Sequence, residues 1–352
     1  MAQGGQQVCT KELRDIVQLT GYELQNIVVP NRLNIVQKIR NRITPLPYPV
    51  RWPNNLCQRI VEKIKENEAD TVFFNLIDFL PLAAELRRVF GAQIKMVMLS
   101  HGLASADVLH INRISKLYPG IIYKCPLYNL NNILKKEAQY LPCFDLVVSI
   151  SEFEAQLCIW LGAKVSSWIP RSITPKPIAW QPVNGVVGYI GTLDHPPSME
   201  GMIKVLDELA IHKNRSLRVR IISRSSWHGN LLSRKYSFVE YLGSKESEVE
   251  PEVGTWCAFL NPIFCFARGC STKLAVGLEW GIPCLTTPSG VRGYDLPKGA
   301  VVIASSPYAF AEETIKYSLA ANAKHARSAL LTALAKMPTQ DDISKRLSTF
   351  LN

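Results

Sequence analysis

The sequence predicts an α/β protein of two domains, and three observations lead to this prediction. Short apolar segments alternate with amphipathic helical patterns along most of the chain, which is typical of sheets covered by helices. The length of 352 residues exceeds that of one typical domain. Residues 170–182 contain four prolines and few large apolar side chains, which predicts a linker. We therefore expect domains over residues 1–170 and 183–340, with a closing helix over residues 341–352.

The elements of the first domain follow from the period of its apolar residues. Consecutive apolar residues between turn residues indicate buried strands, and apolar residues that recur every three or four positions indicate helices. The predicted helices cover residues 6–19, 54–67, 81–90 and 152–161, and the predicted strands cover residues 22–30, 71–76, 94–99 and 144–150. Ser151 and Glu154 have the spacing of a capping box at the last of these helices. Residues 111–139 are basic and without a regular pattern.

The second domain repeats the alternation of strand and helix. Predicted strands lie at residues 186–190, 217–223, 238–243, 284–287 and 300–304, and residues 258–266 hold a strand with its following loop. Predicted helices lie at residues 199–210, at 274–280, from 308 onward, and over 323–352. This order is typical of a doubly wound domain, in which ligands bind beyond the carboxyl ends of the strands.

Composition narrows the class of protein. The net charge of +11 favours anionic partners, namely nucleic acid, an anionic membrane surface or nucleotide diphosphates. No nucleic-acid motif accompanies the charge, so we expect no nucleic-acid partner. Basic residues in the segment 32–42 favour a peripheral membrane contact, and a solvated basic face is an equal alternative. Nine scattered cysteines without metal-ligand spacing indicate reduced thiols in a cytoplasmic protein, with no metal.

One stretch carries the chemistry, the run Gly269-Cys-Ser-Thr-Lys-Leu ahead of a predicted helix. Backbone N–H groups and the helix dipole favour an anion at such a position, and Lys273 adds a full charge. A second loop, Pro288-Ser-Gly-Val-Arg-Gly, supplies glycines and another cation, Arg292. The alternative is an ordinary helix cap by Ser271 or Thr272 followed by a glycine turn.

The pattern GCSTKLAVGLEWGIPCLTTPSGVRGYDL resembles the nucleotide-sugar-binding signature of family four glycosyltransferases. The resemblance implies the GT-B fold of two Rossmann-like domains with a cleft between them, and Ser271, Thr272, Lys273 and Arg292 as donor-binding residues. Two acidic positions of the signature are occupied differently. The family's glutamate, which holds the donor ribose, corresponds to Val276, and a second glutamate corresponds to Arg268.

Other site residues are implied by the same resemblance. His101 follows the predicted strand 94–99, where the family places a histidine near the acceptor and the transferred sugar, so it is the expected catalytic residue; a solvated loop histidine is the alternative. Gly191 and Thr192 form the turn that lies beside the donor phosphates in the family. Arg224 ends the strand 217–223, where relatives carry a diphosphate-binding cation. His195 is interpreted as a turn residue.

The resemblance implies a transferase that moves a sugar from a nucleotide-sugar donor to a glycan, a lipid-linked or a small-molecule acceptor. Retention of configuration and independence from metals and cofactors are expected with it. The alternative is a non-catalytic nucleotide-sugar-binding relative, favoured by Val276. A dinucleotide-dependent oxidoreductase ranks third, because Gly188 and Gly191 do not fit the spacing of a dinucleotide fingerprint.

The amino-terminal end leads to a separate expectation. In a doubly wound domain the first helix follows a glycine loop that ends a central strand. Here the loop is Gly4-Gly5, and only three residues precede it, fewer than the roughly five or six of a typical strand. We therefore expect the first strand of the amino-terminal sheet to be missing, with a gap between the strands predicted at residues 22–30 and 71–76.

Overall fold

The computed structural model describes residues 5–29, 55–118, 120, 130–212, 214, 216–245 and 249–351. The chain forms two compact units. The first unit comprises the described residues up to 109, those from 126 to 170 and those from 340 onward. The second comprises the described residues from 110 to 125 and from 171 to 339. Each unit is built on a parallel sheet covered by helices, so the predicted α/β class is confirmed.

Both sheets are parallel in every described strand pair. The sheet of the first unit has the order β1-β2-β3-β4, with β1 Thr71–Asn75, β2 Lys95–Ser100, β3 Leu146–Ser149 and β4 Ser166–Trp168. The sheet of the second unit has the order β10-β9-β8-β5-β6-β7, with β5 Val186–Ile190, β6 Arg218–Ile222, β7 Val239–Tyr241, β8 Ala258–Asn261, β9 Cys284–Thr286 and β10 Val302–Ile303.

Helices connect these strands, as parallel pairing requires. In chain order they are α1 Gly5–Leu19, α2 Leu56–Glu66, α3 Leu80–Phe90, α4 Ala104–Leu117, α5 Leu130–Tyr140, α6 Glu152–Trp160, α7 Pro196–His212, α8 Ser226–Lys235, α9 Val249–Val253, α10 Thr272–Glu279, α11 Pro307–Tyr317, α12 Ala320–Leu334 and α13 Gln340–Leu351. The predicted closing helix corresponds to α13, which packs against α1 in the first unit.

Two glycines of the second unit explain how its elements approach closely. A Cβ on Gly188 in β5 would lie 2.3 Å from ring atoms of Trp256, the largest fully buried side chain among the described residues. A Cβ on Gly201 in α7 would lie 1.6 Å from the carbonyl oxygen of Pro262, which follows β8. Because Gly201 has no side chain, α7 packs directly onto the loop after β8, and this fixes the start of α7 near the strand ends.

Two predicted segments differ from the structure. Residues 22–29 form no strand, and Val28 is 81% exposed, so β1 is an edge of the sheet within the described part of the chain. The described residues of the segment 111–139 are largely helical, since α4 extends to Leu117 and α5 begins at Leu130. The helical pattern of α4 was hidden by Arg113, which pairs with a buried carboxylate. The expected loss of a first strand concerns residues outside those described and stays a prediction.

The proline-rich segment 170–182 is bound to the second unit along much of its length. The N–H of Lys176 donates to the carbonyl of Glu279, and the N–H of Gln181 donates to that of Gly254. The indole of Trp180 donates to the carbonyl of Trp256 at 2.7 Å. From Arg171 onward the segment therefore forms part of the second unit instead of a free linker.

Candidate functional site

The candidate site of the second unit lies at the carboxyl edge of its sheet. Gly191 and Thr192 follow β5, Arg224 follows β6, and the loop to Ser271 follows β8. Parallel strands end at a common edge, so these loops are brought together. The Ser225 hydroxyl joins two of them, because it accepts hydrogen bonds from the N–H groups of residues 193 and 194, each at 3.3 Å.

Lys273 is the central cation of this edge. A Cβ on Gly191 would lie 2.2 Å from Lys273 Cε and 2.7 Å from its Cδ, so the lysine stem lies directly across the glycine. Its Nζ donates to Ser198 Oγ at 2.8 Å and lies 5.8 Å from the centre of the Tyr189 ring. Desolvation lowers the pKa of Lys273 to about 8, against a smaller opposing effect of Asp194.

Ser198 connects Lys273 to the start of α7. Its side chain is buried, and its hydroxyl also lies 3.3 Å from Nδ1 of His195. Tyr189, the neighbour of this group, donates its hydroxyl to the carbonyl of Thr192 at 3.0 Å. Burial raises the pKa of the Tyr189 phenol, so it stays a donor near neutral pH. The turn at residues 191 and 192 is thereby tied to the lysine that crosses it.

The start of α10 is held by side chains of the strand ends. Ser271 occupies the N-cap position, but its hydroxyl makes no capping hydrogen bond and donates instead to Asn261 Oδ1 at 2.8 Å. The Asn261 amide nitrogen donates to Thr286 Oγ1 at 2.9 Å, which links β8 to β9. Tyr294 donates its hydroxyl to the carbonyl of Ser271 at 2.6 Å. Thr272, the first residue of α10, is half-buried.

The two predicted arginines differ in their surroundings. Arg224 is exposed, next to the Ser225 that joins the loops after β5 and β6. Arg292 is half-buried, and its guanidinium donates to the carbonyls of Gly269 at 2.5 Å, of Arg268 at 3.3 Å and of Ser289. These contacts fasten the glycine loop after β9 to the loop before α10. In the structure Arg292 therefore supports the shape of the loops.

In the first unit, His101 follows β2 at the carboxyl edge of the sheet. The side chain is buried, with 7% of its surface exposed, and its Nε2 lies 2.8 Å from Asn75 Oδ1 at the end of β1. A solvated loop histidine, the alternative raised by the sequence, does not fit this burial.

Two buried glutamates hold the segment after His101. Glu154 Oε1 accepts a hydrogen bond from the N–H of Leu103 at 3.0 Å, and Glu137 Oε1 accepts one from the N–H of Ser105 at 3.1 Å. The predicted capping group at α6 is present, since Ser151 Oγ accepts from the N–H of Glu154 at 3.3 Å. The Glu154 carboxylate accepts from the Ser151 hydroxyl at 2.9 Å and reaches the start of α4.

Several residues of these two edges were missed by the sequence interpretation. They lie near strand ends or within helices: Asn75, Glu137, Tyr189, Ser198 and Asn261, together with the contact of Glu154 to the start of α4, which the capping-box interpretation did not include. For Asn75 and Asn261 a usable signal exists, because each is a polar residue that closes an apolar strand at the ligand-binding edge. Ser198 and the glutamates lie within helical sequence, where a polar residue carries no such signal.

Among the described residues, no group of three or more histidine, cysteine or acidic side chains could hold a metal ion. Within the same part of the chain, no helix is both long and apolar enough to cross a membrane.

Comparisons with known proteins gave structural neighbours only. No protein-family model and no curated protein matches the chain. The apo form of the lipopolysaccharide outer core galactosyltransferase WaaB is similar over 99% of this chain and 96% of its own, with a TM-score of 0.62 and 13% identity. Sucrose-phosphate synthase from Thermosynechococcus elongatus has a TM-score of 0.60 at 12% identity, covering 99% of this chain and 93% of its own. For Anabaena HepE in complex with UDP-glucose the values are 0.59 and 13%, with 99% and 96% covered.

These neighbours are GT-B glycosyltransferases, and identities this low establish the fold alone. The predicted GT-B fold, with two Rossmann-like α/β domains, is confirmed.

Proposed function

We propose that this protein is a glycosyltransferase of family four type that moves a sugar from a nucleotide-sugar donor to an acceptor. The observation that carries the proposal is the placement of Lys273, whose stem crosses Gly191 and whose ammonium is held by Ser198 at the strand ends of the second unit. A desolvated lysine in the first turn of a helix gains most from an anionic ligand, because the ligand charge offsets the cost of its own charge.

The remaining residues of this edge take roles around a leaving nucleotide diphosphate. Lys273 and Arg224 neutralise its charge as the bond between the sugar and the diphosphate breaks, and N–H groups at the start of α10 bind its oxygens. The turn at Gly191 brings the backbone close to the diphosphate, with the N–H of Gly191 itself donating to the carbonyl of Ile222. Ser271 and Thr272 place that helix start, and Arg292 keeps the adjoining loops in position. Metal independence and retention of configuration are parts of this proposal, supported by the family resemblance.

The donor and acceptor classes are proposed on chemical grounds. Solved neighbours include HepE in complex with UDP-glucose and the pneumococcal O-GlcNAc transferase GtfA in complex with UDP and GlcNAc, which makes uridine diphosphate sugars the first donors to test. The acceptor is proposed to be a glycan or a lipid-linked molecule, contacted by the first unit through His101.

A cytoplasmic location is proposed, with a peripheral contact to an anionic membrane through the basic segment 32–42. That segment lies outside the described residues.

A second candidate function is a non-catalytic nucleotide-sugar-binding protein. Its support is Val276, a half-buried side chain of α10 without any group to hold a ribose hydroxyl, and Arg268, which replaces a second acid. The diphosphate edge would be the same in both candidates, so binding alone does not separate them.

The proposal is tested by a donor screen followed by a turnover assay. Thermal shift with uridine, guanosine, adenosine and thymidine diphosphate sugars identifies the donor, and calorimetry measures its Kd. Lys273→Ala should weaken binding by roughly 10- to 100-fold, the effect of losing one charge-assisted contact. Lys235→Ala is the matched control, because Lys235 is an exposed lysine paired with Asp207 on the same unit.

The outcomes separate the candidates. Hydrolysis or transfer of a bound donor supports the transferase. Tight binding without any turnover, across a panel of glycan and lipid-linked acceptors, supports the binding protein. No stabilisation by any nucleotide diphosphate, or an equal loss in both lysine variants, contradicts both.

A further inference from the structure

His101 is held by a chain of hydrogen bonds that reaches α1. The imidazole Nε2 lies 2.8 Å from Asn75 Oδ1, and Asn75 Nδ2 donates to Thr10 Oγ1 at 3.0 Å. Thr10 belongs to α1 and precedes Asn75 by 65 residues, so the contact joins parts of the first unit that are distant in sequence. Both the oxygen and the nitrogen of the Asn75 side-chain amide are therefore held by hydrogen bonds.

The order of the three groups defines the protonation of the imidazole. A helical threonine hydroxyl commonly donates to a carbonyl of the preceding turn, which leaves its oxygen as an acceptor. The amide nitrogen of Asn75 therefore faces Thr10, and its oxygen faces His101. An amide oxygen only accepts, so Nε2 must carry the proton, and in the neutral ring the lone pair lies on Nδ1.

The backbone directly after Asn75 is strained. Leu76 has φ 86° and ψ 136°, a conformation that side-chain-bearing residues seldom adopt. The strained residue lies where the chain leaves β1, and its N–H donates to the carbonyl of Leu99 in β2. Strain of this kind persists only where surrounding contacts enforce it, so the backbone at the end of β1 is closely held.

The chain is fixed on the other side of His101 as well. Gly102 has φ 107°, and its N–H donates to Ser100 Oγ at 3.1 Å. The next N–H, of Leu103, is bound by the Glu154 carboxylate. The backbone on this side of His101 is therefore held by two side-chain acceptors.

We propose that Asn75 is a positioning residue, which holds the His101 ring in one orientation with Nε2 protonated and the lone pair on Nδ1. The expected effect of Asn75 on turnover rests on the proposed function, in which His101 takes part in glycosyl transfer. The tautomer itself does not depend on that role, so the two can be tested apart.

The first test is nuclear magnetic resonance of protein labelled with 15N in histidine, at a pH where the imidazole is neutral. His101→Gln assigns the His101 signals by their loss. The expected spectrum has a protonated Nε2 and an unprotonated Nδ1 for His101. A proton on Nδ1, or two tautomers in exchange, overturns the proposal, whether or not any donor binds.

The second test separates positioning from structure through two variants. Asn75→Asp keeps an acceptor toward Nε2, whereas Asn75→Leu has a similar volume and no acceptor. Asn75→Leu should lower kcat about 10-fold or more with little change in the KM for the donor, and Asn75→Asp should restore most of the turnover.

Equal turnover in wild type and Asn75→Leu overturns the proposal, as does an aspartate variant as impaired as the leucine variant. If Asn75→Leu does not fold, the wild-type tautomer and the Asn75→Asp turnover decide. A chain that binds no donor at all removes the proposed function, and the tautomer spectrum still decides the orientation.

Discussion

The starts of α4 and α10 occupy the same place in their respective units but are surrounded by opposite chemistry. Each helix begins beyond the carboxyl end of a parallel strand, where its dipole favours an anion. At α4 the chain supplies the anionic groups itself, since the carboxylates of Glu154 and Glu137 accept from its first N–H groups. At α10 the first turn has no acidic residue and contains Lys273. The side chains around a helix start, and not its position alone, therefore decide whether that start is open to an anionic ligand.

The largest effect is expected from removing the Glu154 carboxylate of α6, which accepts a hydrogen bond at the start of α4. Glu154→Ala leaves the N–H of Leu103 and the hydroxyl of Ser151 without this buried acceptor, which should lower the free energy of unfolding by about 3 kcal/mol. Urea denaturation measures this loss, and hydrogen exchange at Leu103 localises it. Glu152→Ala is the control, because Glu152 is exposed on α6, the helix that also contains Glu154. This substitution should change the free energy of unfolding by less than about 0.5 kcal/mol. Unchanged protection at Leu103 would show that the carboxylate does not hold α4.

The second prediction concerns the pH dependence of diphosphate binding at α10. The pKa of Lys273 is lowered to about 8 by desolvation, and a bound diphosphate favours the charged form. Affinity for uridine diphosphate should therefore be constant below pH 8 and fall up to about 10-fold per pH unit above it. Calorimetry between pH 7 and 9.5 measures the slope, and Lys273→Met should remove it. A wild-type slope that persists in the methionine variant would assign the effect to another group.

The same lowered pKa has an effect on the unliganded protein, with the opposite trend. The ordinary lysine value is 10.5, so between pH 8 and 10.5 the unfolded chain binds more protons at residue 273 than the folded chain does. The contribution of Lys273 to stability therefore rises with pH across this window. The difference in Tm between wild type and Lys273→Met, followed from pH 7 to 10, should shift in favour of the wild type. A difference that stays constant would mean that Lys273 remains solvated.

The smallest effect is expected at Ser271. Its hydroxyl donates to Asn261 and does not cap α10, so Ser271→Ala should cost about 1 kcal/mol through that hydrogen bond, not through the helix end. Ser306→Ala is a matched comparison, because Ser306 does cap α11 by accepting from the N–H of Ala309. Hydrogen exchange in the first turn should rise for the Ser306 variant at α11 and stay unchanged for the Ser271 variant at α10. Increased exchange at α10 would restore the simple capping interpretation.

The sequence was sufficient for most of the fold, and the reason is the regular period of the apolar residues. The strand at Val186–Ile190 was predicted at its observed bounds, since it is a short apolar run ahead of a glycine turn. Residues 22–29 were predicted wrongly, because an apolar run indicates a strand only if a neighbouring strand pairs with it. The helix α4 was missed, because Arg113 faces the buried Glu200 and breaks the expected division into apolar and polar faces.

The candidate site was predictable where the backbone defines it and unpredictable where side chains meet. Lys273 and the Gly191 turn are recognisable in the sequence, because a loop of small residues before a helix has a defined local form. The contact of Lys273 with Ser198 joins residues 75 positions apart, and the contact of His101 with Asn75 joins residues 26 apart. Such pairs depend on the register of the sheets, which no local pattern contains. The engagement of Arg292 with three carbonyls was hidden for the same reason.

The crossing of Gly191 by the Lys273 stem restricts the order in which this sequence can change. Gly191 has φ 152°, and a Cβ there would overlap Lys273 Cε and Cδ, so Gly191→Ala displaces the lysine as well as straining the turn. If residue 273 has a short side chain, an alanine at position 191 no longer overlaps it. The effects of the two substitutions on stability are therefore not additive. A lineage that keeps the lysine must also keep the glycine, whereas loss of the lysine comes first on any path that loses both. Relatives with a residue larger than glycine at position 191 are therefore expected to have a residue other than lysine at position 273.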